Sequence, residues 1–208
     1  MRKKVATGLA TGRLAKPELA AEAVKKAMEK GKIKSPSAVL LFLTSEFAGD
    51  PESAIKAAAK AASCTQIIGC SATGIFTEED WILDSPAAAA MVFSDTASLT
   101  VSQNQDVNAA TLSLTLAAPN AMNSTWLSEL GLKFGGISGD AIGQGPFSVW
   151  QNGKGATQGY CEIVVKNAKV AVAASHGLKI ISEPDNVIKV DGYDLLSIGD
   201  TDAITSLS

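Results

Sequence analysis

Apolar residues in the first third of the chain form short continuous runs separated by helical patterns. The runs Val5–Ala10, Ala38–Leu43 and Gln66–Ala72 are too short for buried helices and predict strands. Because Ala38–Leu43 has no polar position, we expect that strand to be covered on both faces. These three strands form the expected framework of the N-terminal half.

Two amphipathic helices are predicted between these strands. The first begins at Pro17 and ends at Gly31, with glutamates early and lysines late, an order that suits the helix dipole. The second begins at Pro51 behind Asp50 as its N-cap, and presents one face of small residues. The β-α-β-α-β order is typical of crossover units with a parallel or mixed sheet.

The second half is strand-rich. Asn123 is predicted to cap a short helix through Leu130, and hairpin turns are predicted at Asn152-Gly153 and Asn167. Further strands are predicted at Ala87–Phe93, Ala97–Gln103, Thr111–Leu116, Lys133–Ser138, Phe147–Gln151, Gly159–Val165 and Val170–Ser175. The fold class is therefore α+β, with strand-rich mixed sheets in layers and two main helices packed on the outside. We expect one domain over residues 1–195 and a weakly structured tail over residues 196–208.

Composition narrows the function classes. The 208 residues are 46% hydrophobic but only 5% aromatic, which predicts a tight core of small side chains. The net charge of −3 and the lack of a basic stripe argue against nucleic acid as a partner. No apolar run approaches the ~20 residues of a membrane helix, and no signal-peptide pattern opens the chain. Cys64, Cys70 and Cys161 show no Cys-x-x-Cys spacing, which favours reduced thiols in the cytoplasm.

Two glycine-rich segments are the candidate recognition elements. Gly69–Gly74 interrupts a buried strand with two glycines around small polar side chains, which leaves room for a ligand or for a neighbouring strand. Gly135–Asp140 lacks both the P-loop ending and the helix of a dinucleotide-binding motif. Asp140 is equally typical of a plain turn. The candidate ligand-binding residues are Cys70, Ser71, Thr73, Gly74, Gly135, Gly136, Asp140 and His176.

Catalytic and metal chemistry have few candidate residues. Cys70 is the one nucleophile candidate, but no helix is predicted after it, so a buried packing role is favoured. His176, the only histidine, is interpreted as a turn residue, with a haem ligand or a base towards Cys70 as alternatives. The acidic run Glu78–Asp80 is interpreted as a solvated loop. We therefore expect neither a catalytic set nor a metal site, and no cofactor unless His176 binds haem.

Several segments together resemble the FIST domain, a sensory module of bacterial signalling proteins that is also found beside F-box motifs in eukaryotes. The similarity covers residues 5 to about 194. It is carried by Ile67–Gly74, Ala87–Phe93, Phe134-Gly135-Gly136 with Gly139, Val149–Gly159, Ser175-His176-Gly177 and Val187–Asp194. One departure is Ile75, which replaces a position that is often acidic in the family.

The resemblance implies a small-ligand-binding domain for signal transduction, with amino acids or related metabolites as ligands and no catalysis of its own. It implies a signalling partner protein or a C-terminal FIST half as a protein partner. Two alternatives stay open. One is a haem-binding nitric oxide sensor that uses His176, and the other is a cysteine-dependent enzyme with Cys70 as nucleophile.

Overall fold

The computed structural model describes residues 4–95, 98–101, 112–122, 128, 132–139, 145, 147–157, 159–166, 171–173, 177, 179, 183, 185–192 and 194–207. The fold is α+β with mixed sheets, as predicted. The chain divides into two compact units, Met1–Ala171 and Val172–Ser208. The helices among the described residues are α1 (Pro17–Gly31), α2 (Pro51–Ala62) and α3 (Ala203–Leu207).

The strands are numbered in chain order. They are β1 (Val5–Thr11), β2 (Pro36–Thr44), β3 (Ile67–Ala72), β4 (Gly74–Phe76), β5 (Trp81–Leu83), β6 (Ala87–Ser94), β7 (Ser98–Val101), β8 (Leu112–Ala117), β9 (Leu132–Ile137), β10 (Val149–Gln151), β11 (Lys154–Thr157), β12 (Tyr160–Lys166), β13 (Val187–Asp191), β14 (Asp194–Ile198) and β15 (Thr201–Asp202). Short 3₁₀ turns follow β2 and β8.

The centre of the first unit is a six-stranded sheet in the order β1-β6-β2-β3-β10-β11. Within it, β2 and β3 are parallel and the other neighbouring strands are antiparallel. A second sheet in the order β7-β12-β8-β9 is antiparallel except for the parallel pair β8 and β9. Both sheets are therefore mixed.

Helices α1 and α2 cover one face of the six-stranded sheet. Asp50 accepts a hydrogen bond from the Ser53 backbone amide at 3.1 Å, which confirms its predicted role as the N-cap of α2. Small side chains such as Ala23 and Ala58 are fully buried against larger ones such as Leu41. The core on this side is thus the alanine-rich core that the composition predicts.

The four-stranded sheet covers the other face of the six-stranded sheet. Leu40 and Ile68 from the first sheet share a buried cluster with Leu116 and Ile163 from the second. β2 is therefore covered on both faces, which confirms the prediction made from its continuous apolar run. The first unit therefore has three layers: helices, central sheet and second sheet.

Most strand predictions for the first unit agree with the structure. The Asn152-Gly153 turn is confirmed, since both residues have positive φ between β10 and β11. Residues 171–173, within the predicted strand Val170–Ser175, are not in a strand. Asn167 lies outside the described residues, as does the predicted 123–130 helix except for residue 128, which is helical.

The second unit is a small three-stranded antiparallel sheet, β13-β14-β15, followed by α3. The chain divides after Ala171, whereas the sequence predicted a boundary near residue 195. That predicted boundary falls within β14, and the segment predicted as a weakly structured tail contributes β15 and α3. Hydrogen bonding of β14 to both β13 and β15 joins these residues into one sheet.

The sequence did not predict the β4–β5 hairpin. Its turn carries the acidic run Glu78–Asp80, which is not simply solvated as predicted. Glu78 accepts hydrogen bonds from Thr7 and Lys30, and the Lys30 amino group lies 2.5 Å from a Glu79 carboxylate oxygen. The acidic turn therefore docks on α1 and β1, because Lys30 at the end of α1 supplies a counter-charge.

Replacement of Lys30 by methionine should make the free energy of unfolding depend less on pH in the acid range. Hydrogen bonds from Lys30 and then from Thr7 lower the pKa of Glu78 to about 2. A lowered carboxyl pKa stabilises the fold above the unfolded pKa, and this contribution is lost as pH falls from about 4.5 to about 2. Since both side chains are partly exposed, we expect about 1 kcal/mol or less at pH 7.

Urea unfolding at pH 7 and pH 2.5 measures this effect. The difference between the original protein and Lys30→Met should shrink towards zero at the lower pH. Lys25→Met, which changes an exposed lysine of the same helix, is the matched control and should show no such convergence. A difference that is equal at both pH values would contradict the assignment.

Candidate ligand-binding site

The two glycine-rich segments meet where β3 and β9 end. The Ser71 and Ser138 hydroxyl oxygens are 2.6 Å apart, and both residues are buried. The Ser148 amide donates to the Ser71 hydroxyl at 3.1 Å, and the Ser71 amide donates to the Ser148 carbonyl at 2.9 Å. Ser71 therefore joins the central sheet to the second sheet by a buried polar contact.

A second contact lies next to this serine pair. The Thr73 hydroxyl oxygen is 3.4 Å from the point that a Cβ on residue 139 would occupy. Thr73, Gly74 and Gly139 are half-buried. The structure thus brings the end of the first glycine-rich segment against the end of the second.

Two of the glycines are explained by neighbouring strands. A Cβ on residue 69 would lie 1.7 Å from the Leu41 carbonyl oxygen, and one on residue 135 would lie 1.8 Å from the Thr115 carbonyl oxygen. Gly136 differs, since no atom lies within 4 Å of its Cβ position. The close approach of a neighbouring strand therefore explains Gly69, for which the sequence left a ligand or a strand open, and it explains Gly135 in the same way.

An open cavity of about 160 Å³ lies along β8 and β9. Lys133 supplies a charged group at its wall, and the Lys133 Nζ is 3.5 Å from a carboxylate oxygen of Glu162. The residues that line it are Thr115, Ala117, Met122, Lys133, Phe134, Gly135, Gly136 and Ile137. Gly135 and Gly136 are the sequence-predicted residues that reach this cavity.

The sequence missed the other lining residues. Thr115 belongs to a different strand from the glycines, and its approach depends on the parallel pairing of β8 with β9. Lys133 could have been identified from the sequence, because it is the one charged residue between the apolar residues Leu132 and Phe134 in a strand pattern. The side chains of Lys133 and Glu162 are largely buried, which is uncommon for charged groups without a partner.

Cys70 is a core residue rather than an exposed thiol. It is 4% exposed and lies in the buried cluster between the two sheets, together with Cys161. Burial raises the pKa of the Cys70 thiol to about 12, so it stays protonated near neutral pH. Because a cysteine nucleophile acts as the thiolate, this geometry favours the packing role.

Asp140 and His176 lie outside the described residues, so their predicted places at the site stay predictions. Within the described ranges, no group of three or more His, Cys, Asp or Glu side chains is arranged to hold a metal ion. Helices in the described part of the chain are too short or too polar to span a membrane.

Comparison with protein families gives one assignment. The family model of the FIST N domain matches residues 37–201, which include both glycine-rich segments and the cavity strands β8 and β9. The chain belongs to the FIST N domain family. FIST domains are a sensory and signal-transduction family. A comparison with curated proteins gives no match.

Membership in the FIST family confirms the resemblance seen in the sequence. The matched range begins in β2, so β1 and α1 of this FIST N domain precede it. Both elements nevertheless pack on the matched strands, because β1 pairs with β6 along seven residues. The structural unit is therefore larger than the matched segment at its N-terminal side.

Proposed function

We propose that this FIST N domain is a sensory module that binds a small molecule and does not itself catalyse a reaction. The observation that carries the proposal is the junction of the two glycine-rich segments at Ser71 and Ser138, next to a cavity lined by Ile137, the residue before Ser138. A site built where strands end, with an apolar wall and few polar groups, is typical of ligand pockets.

The chemistry of the cavity supports a small ligand that carries a carboxylate, such as an amino acid or a related metabolite. Lys133 lies in the wall and can donate to an anionic group, while Glu162 holds its ammonium group in place. Gly136 leaves the backbone open to a ligand because no side chain covers it. Phe134 and Ile137 supply apolar contact for the remainder of the ligand.

Cytosolic location and a signalling partner protein belong to the same proposal. All three cysteines are free thiols in the structure, which is typical of a reducing compartment. A sensory domain acts by changing its contacts with another protein or domain, so a C-terminal FIST half or a separate signalling protein would receive the signal.

Thermal unfolding with single amino acids and with their 2-oxo acids tests the ligand proposal. A ligand present at a hundred times its Kd should stabilise the protein by about 2.7 kcal/mol, which appears as a higher Tm. In Gly136→Leu the new side chain should fill the open space at the cavity, so the ligand-dependent rise in Tm should disappear. The fold should be kept, because that space is empty.

Gly49→Leu is the matched control. Gly49 also has no atom within 4 Å of its Cβ position, and it lies in the turn before α2, away from β9. This variant should keep the full ligand-dependent rise in Tm. The proposal fails if none of these compounds raises the Tm, or if Gly136→Leu responds as strongly as the original protein.

The haem alternative rests on His176 alone and has a separate test. A haem protein should show a Soret band after incubation with haemin, and His176→Ala should shift or remove that band. The cysteine-enzyme alternative is not favoured, because burial keeps the Cys70 thiol protonated.

A further inference from the structure

The β4–β5 hairpin exposes an apolar surface. Phe76 and Trp81 form a cross-strand pair and are 78% and 64% exposed. Leu83 is 49% exposed, and it leans over Gly74, since its Cδ2 lies 2.1 Å from the Cβ position of that glycine. The outward face, defined here as Gly74, Phe76, Trp81 and Leu83, therefore carries no polar side chain.

This outward face is not needed to attach the hairpin. The inward side chains Ile75 and Ile82 already pack with Ala87 and Ala89 of the central sheet. Lys30 fixes the turn by its contacts with the acidic run. An exposed aromatic pair on a ribbon that is already anchored is typical of a surface that contacts a partner.

The charges around the outward face select the kind of partner. The segment 76–84 contains four acidic residues, Glu78, Glu79, Asp80 and Asp84, and no basic residue. Lys30 pairs with the first two, whereas Asp80 and Asp84 are exposed at either end of β5. This charge repels anionic lipid and nucleic acid and disfavours a second copy of a chain with net charge −3.

We propose that the outward face docks a segment of a partner protein that carries lysine or arginine beside apolar side chains. Apolar side chains of that segment pack on Phe76 and Leu83, and a cationic group lies over the Trp81 ring. Asp80 and Asp84 provide the electrostatic complement. The surface is separate in its residues from the cavity along β8 and β9.

Fluorescence anisotropy with a labelled dodecapeptide of alternating lysine and leucine tests this surface. Its binding should weaken at least fivefold in Trp81→Ala and in the double variant Asp80→Asn/Asp84→Asn. Asparagine is chosen because residue 84 has positive φ, a conformation that asparagine tolerates. Circular dichroism and Tm verify that the variants are folded.

The matched controls lie elsewhere on the first unit. Leu14→Ala removes another exposed apolar side chain, and Glu18→Gln/Glu46→Gln removes two other exposed carboxylates. Both should change peptide binding by less than twofold. The proposal is overturned if the lysine–leucine peptide does not bind, if a glutamate–leucine peptide binds equally well, or if the controls weaken binding as much as the hairpin variants.

Discussion

Replacement of Gly69 by alanine is expected to destabilise the domain by about 3 kcal/mol or more, a large share of the about 5–15 kcal/mol that keeps an ordinary domain folded. The added Cβ would lie 1.7 Å from the Leu41 carbonyl oxygen and 2.7 Å from the Leu41 carbonyl carbon. Both atoms belong to the backbone of β2. Relief therefore requires separation of the two central parallel strands, which are buried on both faces.

Equilibrium unfolding in urea measures the loss. Gly136→Ala is the control, because it places the same methyl group on a strand where no atom lies within 4 Å. Alanine is about 0.5–1 kcal/mol better than glycine inside a strand, so this control should be neutral or slightly stabilised. Equal free energies of unfolding for the two variants would show that the close approach of β2 and β3 does not require glycine.

This contrast separates two uses of glycine within segments that look alike in sequence. Gly69 begins the hexapeptide that the sequence marks as a recognition element, yet its neighbours are the Leu41 backbone and the Trp150 indole. Gly136 instead lines the open cavity and has free space at its Cβ position. The sequence identified both positions as places of close approach, but only the pairing of strands shows what approaches each.

Local patterns predicted the elements whose signals lie within one segment. The N-cap Asp50 with Pro51, the apolar run of β2 and the Asn152-Gly153 turn each encode their own geometry. The fold class follows from the order of such elements. The contact between Ser71 and Ser138 joins the two segments that the sequence marks as candidate recognition elements, but its register depends on how the two sheets stack.

Features that depend on distant residues were not predictable. The β4–β5 hairpin has strands of three residues, and an acidic turn is normally solvated; its position is fixed by Lys30, 48 residues away. Cavity residues such as Thr115 become neighbours of Gly135 only through the parallel pairing of β8 and β9. In both cases the feature depends on a contact between two residues that are distant in sequence, and neither residue indicates that contact by itself.

Trp150 should show which part of a buried side chain the fold requires. It is fully buried in the core beneath the helices and is paired with Gly69, whose missing side chain leaves space for the indole. Removal of the ring in Trp150→Ala should cost about 3–5 kcal/mol, the usual loss for a large aromatic residue in a core. Trp150→Phe should cost far less.

The reason for the smaller loss lies in one atom. The Trp150 Nε1 is buried and has no hydrogen-bond partner, and an unpaired buried donor costs about 1–3 kcal/mol. Phenylalanine removes that donor while it keeps one six-membered ring in the pocket. The free energy recovered by removing the unpaired donor offsets much of the packing energy that is lost with the second ring. We therefore expect a net loss in stability of about 1 kcal/mol.

Urea unfolding followed by far-UV circular dichroism measures both variants without the use of tryptophan fluorescence. Ile67→Val is the control for packing alone, because it removes one methyl group and no polar atom from the same core, at a cost of about 0.5–1.5 kcal/mol. A loss in Trp150→Phe close to that in Trp150→Ala would contradict the argument. It would mean that the indole nitrogen is stabilised in the folded protein by an interaction that phenylalanine cannot make.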